Sequence, residues 1–279
     1  FKIQHKDQHS QARTGIISTS HGKINTPAFV PVATKATVKA LTPIQLEELG
    51  FEVALCNTYH LYLRPGADIV QKMGGLQKFM GWNKPLFTDS GGFQVFSLKD
   101  GLCEVNDDCV TFKSHIDASK HIFTPEKSMQ IQRKLGADLI FAFDECLSID
   151  ANYETTQKSM DRTHRWAERS LNEFKKLNKD KQQALYGIVQ GGRFLDLREK
   201  SAKFISSLGF DAIGIGSTFG DPKEESRKIV EHTLKFIPVE KTKHLLGIGA
   251  VEDIFTYVEQ GIDTFDCVLP TRLARVGYI

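Results

Sequence analysis

Short apolar segments recur along this chain at intervals, and this rhythm constrains the fold more than any other feature. Eight segments of strand length occupy residues 29–32, 53–56, 85–88, 139–143, 185–189, 212–215, 244–248 and 264–268. Helical patterns separate most of them, which is typical of parallel strands joined by crossover helices. Eight strands with intervening helices predict an α/β fold of the (β/α)8 barrel type, the TIM barrel.

Capping residues place the boundaries of two of the helices. Thr42 and Thr124 each precede a proline, as an N-cap does before a first helical turn, and Gly50 and Gly136 end the same two patterns. Further helical patterns cover residues 154–176, 195–208, 223–236 and 251–260. These patterns lie between predicted strands, as the barrel requires.

Two segments fall outside this alternation. Residues 15–19 and 23–25 flank a turn at His21 and Gly22, which predicts an N-terminal hairpin, and residues 97–123 predict an inserted hairpin after the third strand, with its turn at 106–108. The chain has 279 residues, of which 41% are apolar, so it can bury one large core. We therefore expect a single barrel domain over residues 1–279.

Charge and cysteine content set weaker limits. A net charge of +2 is compatible with a nucleic-acid partner but does not argue for one. The five cysteines are scattered without CxxC spacing, which predicts neither a disulfide framework nor a complete zinc site. A reduced chain in the cytoplasm is the simplest interpretation. We expect no association with membranes, because no apolar run approaches bilayer length and no signal peptide opens the chain.

Polar residues and glycines follow the predicted strands, at the end of the barrel where such folds place their sites. They are Asp89 after the third strand, Asp144 after the fourth, Gln190 after the fifth, Gly214 and Gly216 at the sixth, Gly247 and Gly249 at the seventh, and Asp266 within the eighth. Each alone could equally be a turn or cap residue. Their coincidence at one rim predicts a site that combines carboxylates with an amide and with glycines that let a flat ligand approach the backbone.

The stretch GIDTFDCVLPTRLAR at 261–275 adds charge of the opposite sign. Asp266 precedes a proline turn that carries Arg272 and Arg275. A carboxylate in this position can act as a nucleophile or base, and guanidinium groups bind phosphates or base edges.

Several ordered motifs resemble those of tRNA-guanine transglycosylases. They are DSGGFQVFSL at 89–98, FAFDEC at 141–146, GIVQGG at 187–192, HLLGIG at 244–249 and FDCVLPTRLAR at 265–275, together with NTYHLYLRPG at 57–66 and FKSHIDASKHIFTPE at 112–126. The resemblance covers nearly the whole chain. It implies exchange of guanine at the anticodon wobble position of tRNA for a 7-deazaguanine, on the way to queuosine.

The resemblance also assigns roles to individual residues. Asp266 matches the family's nucleophile, which attacks the ribose and forms a covalent ester with the RNA, and Asp89 matches the general acid/base. Asp144 and Gln190 match the residues that read the purine edge. The rest of the implied base pocket comprises Ser90, Gly91, Gly92, Phe93 as the stacking partner, Leu246, and either Gly214 or Gly216. The implied RNA-binding residues are Gly247, Ile248, Gly249, Ala250, Val251, Glu252, Asp253, Thr271, Arg272, Leu273, Ala274 and Arg275.

Two departures from the family pattern are visible. Where bacterial members read like AIGGLAVGE, residues 212–221 read AIGIGSTFGD, which is one residue longer. Because this loop lies near the 7-substituent in the family, the incoming base stays open between 7-aminomethyl-7-deazaguanine and queuine. Family members also continue into a zinc subdomain with a CxCxxC motif. We therefore expect the chain to be truncated before the last barrel helix and that subdomain, with structural zinc in the intact protein and no metal ligand in this chain.

The expected partners are tRNA with a GUN anticodon, free guanine or 7-deazaguanine base, and a second copy of the chain. Three other functions stay open. One is a non-catalytic RNA-binding subunit of a heterodimeric transglycosylase, against which the retention of Asp89 and Asp266 argues. The second is a paralogue that acts on DNA or archaeal tRNA, and the third is an unrelated barrel glycosidase.

Overall fold

The computed structural model describes residues 1–98, 102–216 and 223–278. The chain begins with a three-stranded antiparallel sheet of β1 (Lys2–Lys6), β2 (Arg13–Thr19) and β3 (Gly22–Thr26). The predicted N-terminal hairpin corresponds to β2 and β3. The additional strand β1 is mostly exposed and carries no apolar alternation, so its sequence gave no strand signal.

Eight parallel strands form the main sheet, as predicted. They are β4 (Ala28–Pro31), β5 (Ala54–Cys56), β6 (Leu86–Thr88), β10 (Leu139–Phe141), β11 (Ala184–Val189), β12 (Ala212–Ile215), β13 (Lys243–Leu245) and β14 (Thr264–Cys267). Their order is β4-β14-β13-β12-β11-β10-β6-β5, and a bridge between Val32 and Leu55 joins the two ends. The (β/α)8 barrel is therefore confirmed.

Two strands end at least two residues before their predicted C-terminal ends. The fourth stops at Phe141 and the seventh at Leu245, although apolar residues continue beyond both. In the seventh, Gly247 has a φ of 72°, so the chain leaves the extended conformation there. Leu246 and Gly247 both line the cavity at this end of the barrel.

The predicted helices are all present. They are α1 (Pro43–Glu48), α6 (Pro125–Leu135), α7 (Tyr153–Leu177), α8 (Leu195–Ser207), α9 (Lys223–Leu234) and α10 (Val251–Glu259). Thr42 accepts a hydrogen bond from the Gln45 amide and Thr124 accepts one from the Lys127 amide, as expected of N-caps. Gly136 ends α6 with a φ of 80°.

Five short helices were not predicted. They are α2 (Thr58–Leu63), α3 (Ala67–Lys72), α4 (Leu76–Met80), α5 (Gly92–Phe96) and α11 (Leu269–Ala274). Each has only five or six residues, too few to show a helical period. The proline turn expected after the eighth strand was wrong in this respect, because Pro270 lies in the first turn of α11.

The insertion forms a three-stranded antiparallel sheet, one strand more than the predicted hairpin. Its strands are β7 (Cys103–Val105), β8 (Val110–Lys113) and β9 (Lys120–Phe123). The turn at 106–108 lies as predicted between β7 and β8. Helix α7 holds this turn, since Trp166 Nε1 donates to the Asp107 carbonyl at 2.8 Å and Arg165 pairs with the Asp107 carboxylate at 2.7 Å. Residues 99–101 of the insertion lie outside the described residues.

The N-terminal sheet closes the barrel at the N-terminal ends of the strands. Ile17 and Ile24 pack into the same apolar cluster as Phe87 of the barrel interior. Arg13 forms a buried double hydrogen bond with Asp263, at 2.8 and 2.6 Å, immediately before β14. The opposite end, where the strands terminate, stays accessible and contains the candidate site.

Candidate active site

A cavity of about 520 Å³ opens at the C-terminal ends of the strands. The predicted site residues that line it are Asp89, Ser90, Phe93, Asp144, Gln190, Gly216, Leu246, Gly247, Asp266 and Arg272. They come from the ends of six strands, β6 and β10–β14, and from the segments that follow. The fold thus brings together all three predicted carboxylates.

Asp89 follows β6 and is held by donors on both carboxylate oxygens. Oδ1 accepts from the Thr58 amide at 2.8 Å, and Oδ2 accepts from the side-chain amides of Asn57 and Gln94. Burial raises the pKa of Asp89 to about 6, and the nearby charge of Asp266 acts in the same direction. The hydrogen bonds oppose this shift. Asp89 can therefore both give and take a proton near neutral pH.

Asp144 follows β10 and is only 6% exposed. Its Oδ1 accepts from Ser90 Oγ at 3.0 Å, and its Oδ2 accepts from Gln190 Nε2 at 2.7 Å. Burial raises the pKa of Asp144 to about 6, and the negative charges of Asp89 and Glu145 add to the increase. A buried pair of carboxylate and amide can recognise a ligand edge that presents adjacent donors and an acceptor.

Asp266 lies within β14, and its side chain is 14% exposed. Oδ1 accepts from the Gly247 amide at 3.1 Å and lies 3.0 Å from Nε2 of His244. No described residue donates a hydrogen bond to Oδ2. Asp266 therefore combines one fixed oxygen with one that has no donor within the described residues.

Glycines bring the backbone close to the polar groups. A Cβ at Gly92 would lie 2.6 Å from the Asp144 carbonyl oxygen, and one at Gly216 would lie 2.7 Å from Gln190 Nε2. Gly214 instead packs against Phe141 and Leu246, and it is not among the cavity-lining residues. Any larger residue at position 92 would collide with the Asp144 backbone, and one at position 216 would displace the Gln190 side chain.

Phe93 lies at the mouth of the cavity. Its side chain is 55% exposed, unusual for a phenylalanine, and it is the second residue of α5. Gly91 precedes this helix with a φ of 82°, which turns the chain from Ser90 into the helix. An exposed ring beside buried polar groups provides an apolar face for a planar ligand.

A family model described as queuine tRNA-ribosyltransferase matches residues 7–279. The chain belongs to this family. Proteins named queuine tRNA-ribosyltransferase from Desulforamulus reducens and Caldanaerobacter subterraneus are 48% and 49% identical to it over 280 residues, which is 100% of this chain and 74% of each relative. The one from Herpetosiphon aurantiacus is 51% identical over 278 residues, 99% of this chain and 69% of the relative.

The predicted RNA-binding segment after β13 leads into α10. Ile248, Gly249 and Ala250 connect the strand to this helix, and Val251 is 70% exposed at its start. The carboxylate of Asp253 is turned into the protein, where it pairs with Lys223 at 3.2 Å. Val251 and Glu252, unlike Asp253, present their side chains to solvent.

The motif after β14 forms α11, which contains Thr271, Arg272, Leu273 and Ala274, with Arg275 as its C-cap. Both arginines are exposed, but Arg272 lines the cavity and Arg275 does not. Within the described residues neither guanidinium has an ion-pair partner. The structure thus separates two arginines that looked equivalent in the sequence.

Sequence reasoning missed four residues that contact the predicted carboxylates, namely Asn57, Thr58, Gln94 and His244. Asn57 directly follows β5, so the rule that selected Asp89 and Asp144 could have selected it as well. All four residues stood inside motifs that the resemblance used, without a role. Which carboxylate each one contacts depends on the fold, and no local signal indicates it.

The described residues do not fit a zinc site. No group of three or more His, Cys, Asp or Glu side chains in ranges 1–98, 102–216 and 223–278 is arranged to hold a metal ion. None of the five cysteines forms a disulfide, and Cys267 contributes to the cavity wall beside Asp266. The zinc implied by the resemblance therefore has no place among these residues, and no chemical step is assigned to it.

No helix in the described part of the chain combines the length and the apolar character needed to cross a membrane.

Proposed function

We propose that this protein is a tRNA-guanine transglycosylase, which exchanges guanine at the anticodon wobble position for a 7-deazaguanine in queuosine biosynthesis. The observation that carries the proposal is the pairing of Asp89 and Asp266 in one cavity, in unlike environments. One carboxylate is held on both oxygens and has a raised pKa, while the other keeps an oxygen without a donor among the described residues. A double displacement at a sugar carbon uses one acid/base and one nucleophile.

In the first displacement Asp266 attacks the anomeric carbon of the ribose. The bond from carbon to guanine N9 breaks, its electron pair goes to the base, and Asp89 supplies the proton that the departing guanine needs. In the second displacement the incoming base attacks the same carbon, and the electron pair of the ester bond returns to Asp266. Asp89 then takes up the proton of the incoming base. Two inversions retain the configuration of the sugar.

Base recognition is assigned to the buried polar pair. Asp144 accepts from the ring N–H and amino group of the purine, while the second N–H of the Gln190 amide donates to its carbonyl oxygen. Phe93 stacks on the base. Gly216 is the glycine that faces the base, because it lines the cavity beside Gln190, whereas Gly214 packs against Phe141. Ser90, Gly91, Gly92 and Leu246 complete this pocket.

The proposed RNA substrate is tRNA with a GUN anticodon, bound with the target nucleotide extruded into the cavity. Residues 247–253 and 271–275 are proposed to hold the anticodon loop, with Arg272 closest to the reacting sugar. Residues 217–221, where the chain is longer than the bacterial pattern, lie outside the described residues. The proposed incoming base is 7-aminomethyl-7-deazaguanine or queuine.

Three further properties of the family are proposed for this protein. These are a structural zinc site outside the described residues, a homodimer, and a location in the cytoplasm, where cysteines outside disulfides, as these five are, stay reduced. Light scattering after size exclusion tests the homodimer, because a monomer mass at micromolar concentration would contradict it.

Radiolabelled guanine exchange tests the function. The protein is incubated with labelled guanine and a tRNA transcript with a GUN anticodon, beside a matched transcript whose wobble base is adenine and a DNA hairpin of the same loop sequence. We expect label only in the first RNA, mapped to the wobble position by nuclease digestion. Label in the DNA, or elsewhere in the tRNA, would favour a paralogue. RNA binding without exchange would favour a non-catalytic subunit.

A further inference from the structure

A fully buried histidine lies directly below the proposed nucleophile. His244 is on β13, opposite Thr264 of β14, and none of its surface is exposed. Thr264 and Asp266 are two residues apart on one strand, so they point to the same face of the sheet, toward His244. The imidazole packs among aromatic rings, with centroids 5.3 Å from Phe87 and 5.2 Å from Phe141.

Both ring nitrogens of His244 have a partner, and the chemistry of these partners fixes the tautomer. Nδ1 lies 2.8 Å from Thr264 Oγ1, and Nε2 lies 3.0 Å from Asp266 Oδ1. An ionised carboxylate only accepts hydrogen bonds, so Nε2 carries the proton whenever Asp266 is ready to attack. Nδ1 of the neutral ring is then an acceptor, and the Thr264 hydroxyl donates to it.

Two N–H groups therefore converge on a single oxygen of Asp266, the imidazole Nε2–H and the Gly247 amide. Because no described residue donates to Oδ2, this second oxygen is the one that bonds to the sugar. In the resulting ester, Oδ1 becomes a neutral carbonyl oxygen. Hydrogen bonds to an ionised acceptor are stronger than bonds to a neutral one, so the two N–H groups stabilise the carboxylate more than the ester.

We propose that His244 is a positioning residue whose N–H sets the balance between free Asp266 and its covalent ester. The inference rests on the proposed function. When the incoming base attacks the anomeric carbon, the Oδ2–carbon bond breaks and its electron pair returns to the carboxylate of Asp266. The N–H of His244 stabilises this leaving carboxylate, and so prevents the ester from accumulating.

The test measures the covalent equilibrium. Labelled anticodon stem-loop is incubated with the full chain at a fixed concentration of free guanine, and the ester is separated from non-covalent RNA on a denaturing gel. His244→Phe fills the aromatic surroundings but removes the donor. We expect the ratio of ester to non-covalent complex to rise by about tenfold or more, the effect of one hydrogen bond to a charged group. Breakdown of the ester by added guanine should be correspondingly slower.

A merely structural role would give a different result. Loss of packing or of nucleophile orientation would slow formation and breakdown alike, and would leave the ratio unchanged or lower it. His244→Gln, whose amide can donate from a similar position, should return the ratio toward that of the wild type, and Thr264→Ser should leave it unchanged. If His244→Phe does not fold, His244→Leu provides the same test.

The wild-type protein provides a test that needs no variant. The ¹⁵N chemical shifts of the His244 ring should show a protonated Nε2 and an unprotonated Nδ1, and the opposite tautomer would overturn the inference. A wild type that exchanges guanine, with an unchanged ratio in a folded His244→Phe variant, would overturn this inference alone. A wild type that forms no ester with any RNA would overturn the proposed function as well.

Discussion

Asp144→Asn should weaken the binding of free guanine by about 5- to 150-fold, which corresponds to the roughly 1 to 3 kcal/mol lost when a buried group is left unpaired. Asp144 accepts a hydrogen bond on each oxygen, from Ser90 and from Gln190. The Ser90 hydroxyl can rotate and accept from the new amide. If the new amide nitrogen faces Gln190 instead, the Gln190 amide has to flip to avoid a clash between two donors. The oxygen of Gln190 then faces the carbonyl of the base. One mismatched contact follows in either arrangement.

The same substitution should not destabilise the fold at pH 8. Burial raises the pKa of Asp144 from an ordinary 3.8 to about 6. A raised pKa means that the folded state binds the proton more tightly than the unfolded state does. The carboxyl group therefore costs stability above pH 6, and this cost disappears as the pH falls toward 3.8. Asparagine carries no charge, so the melting temperature of the Asp144→Asn variant at pH 8 should be equal to or above that of the wild type.

Guanine affinity is measured by isothermal titration calorimetry, beside a thermal melt of each variant. Asp150→Asn is a suitable control, since this carboxylate follows the same strand but its side chain is 82% exposed. A guanine affinity within about twofold of the wild type in a folded Asp144→Asn variant would refute the reasoning, because so small a change leaves no room for a buried unpaired group.

Three further predictions concern the chemistry and the RNA. Asp266→Asn should abolish both guanine exchange and the covalent RNA band on a denaturing gel, and a band that persists would exclude Asp266 as the nucleophile. Release of guanine, which uses protonated Asp89, should slow as the pH rises through about 6, while attack by the incoming base should accelerate. The Asp89→Asn variant should bind tRNA normally but catalyse neither release nor attack of the base. Weak RNA binding by this variant would indicate a structural role for Asp89. If Arg272 reads the uridines beside the wobble base, Arg272→Ala should bind anticodon loops with and without those uridines equally well. Arg275→Ala should weaken the binding of both kinds of loop by the same factor, and should reduce the slope of log affinity against log salt concentration by about one unit. Equal weakening by both variants would contradict base readout.

The sequence predicted those features that depend on local pattern. The barrel strands followed from buried apolar runs, and α1 and α6 from capping residues at Thr42 and Thr124. Strand β1 was missed because it carries no apolar alternation, and the helices α2–α5 and α11 were missed for a different reason. Segments of five or six residues are marginal helices by themselves, and packing against the rest of the protein stabilises them.

The candidate site divides in the same way. The rule that places sites at strand ends located Asp89, Asp144 and Asp266, because each follows or ends an apolar run. It could not show that Asn57 binds Asp89 across 32 residues or that His244 binds Asp266 across 22. Such contacts depend on which strands are neighbours and on their register. A single sequence shows neither the order of the strands nor their register.

The order of strands around the rim supports the proposed position of the ligand. Ser90, Asp144, Gln190 and Gly216 follow four consecutive strands of the sheet, β6, β10, β11 and β12, so the groups proposed to read the base form one continuous arc. Asp266 lies on β14, outside this arc. With the proposed roles of these residues, the base would insert toward β10 and β11 while its sugar remains near β14. Asp89, at the β6 end of the arc, accepts a hydrogen bond from Asn57, which follows β5, so the proposed proton donor lies at the end of the arc opposite Gly216.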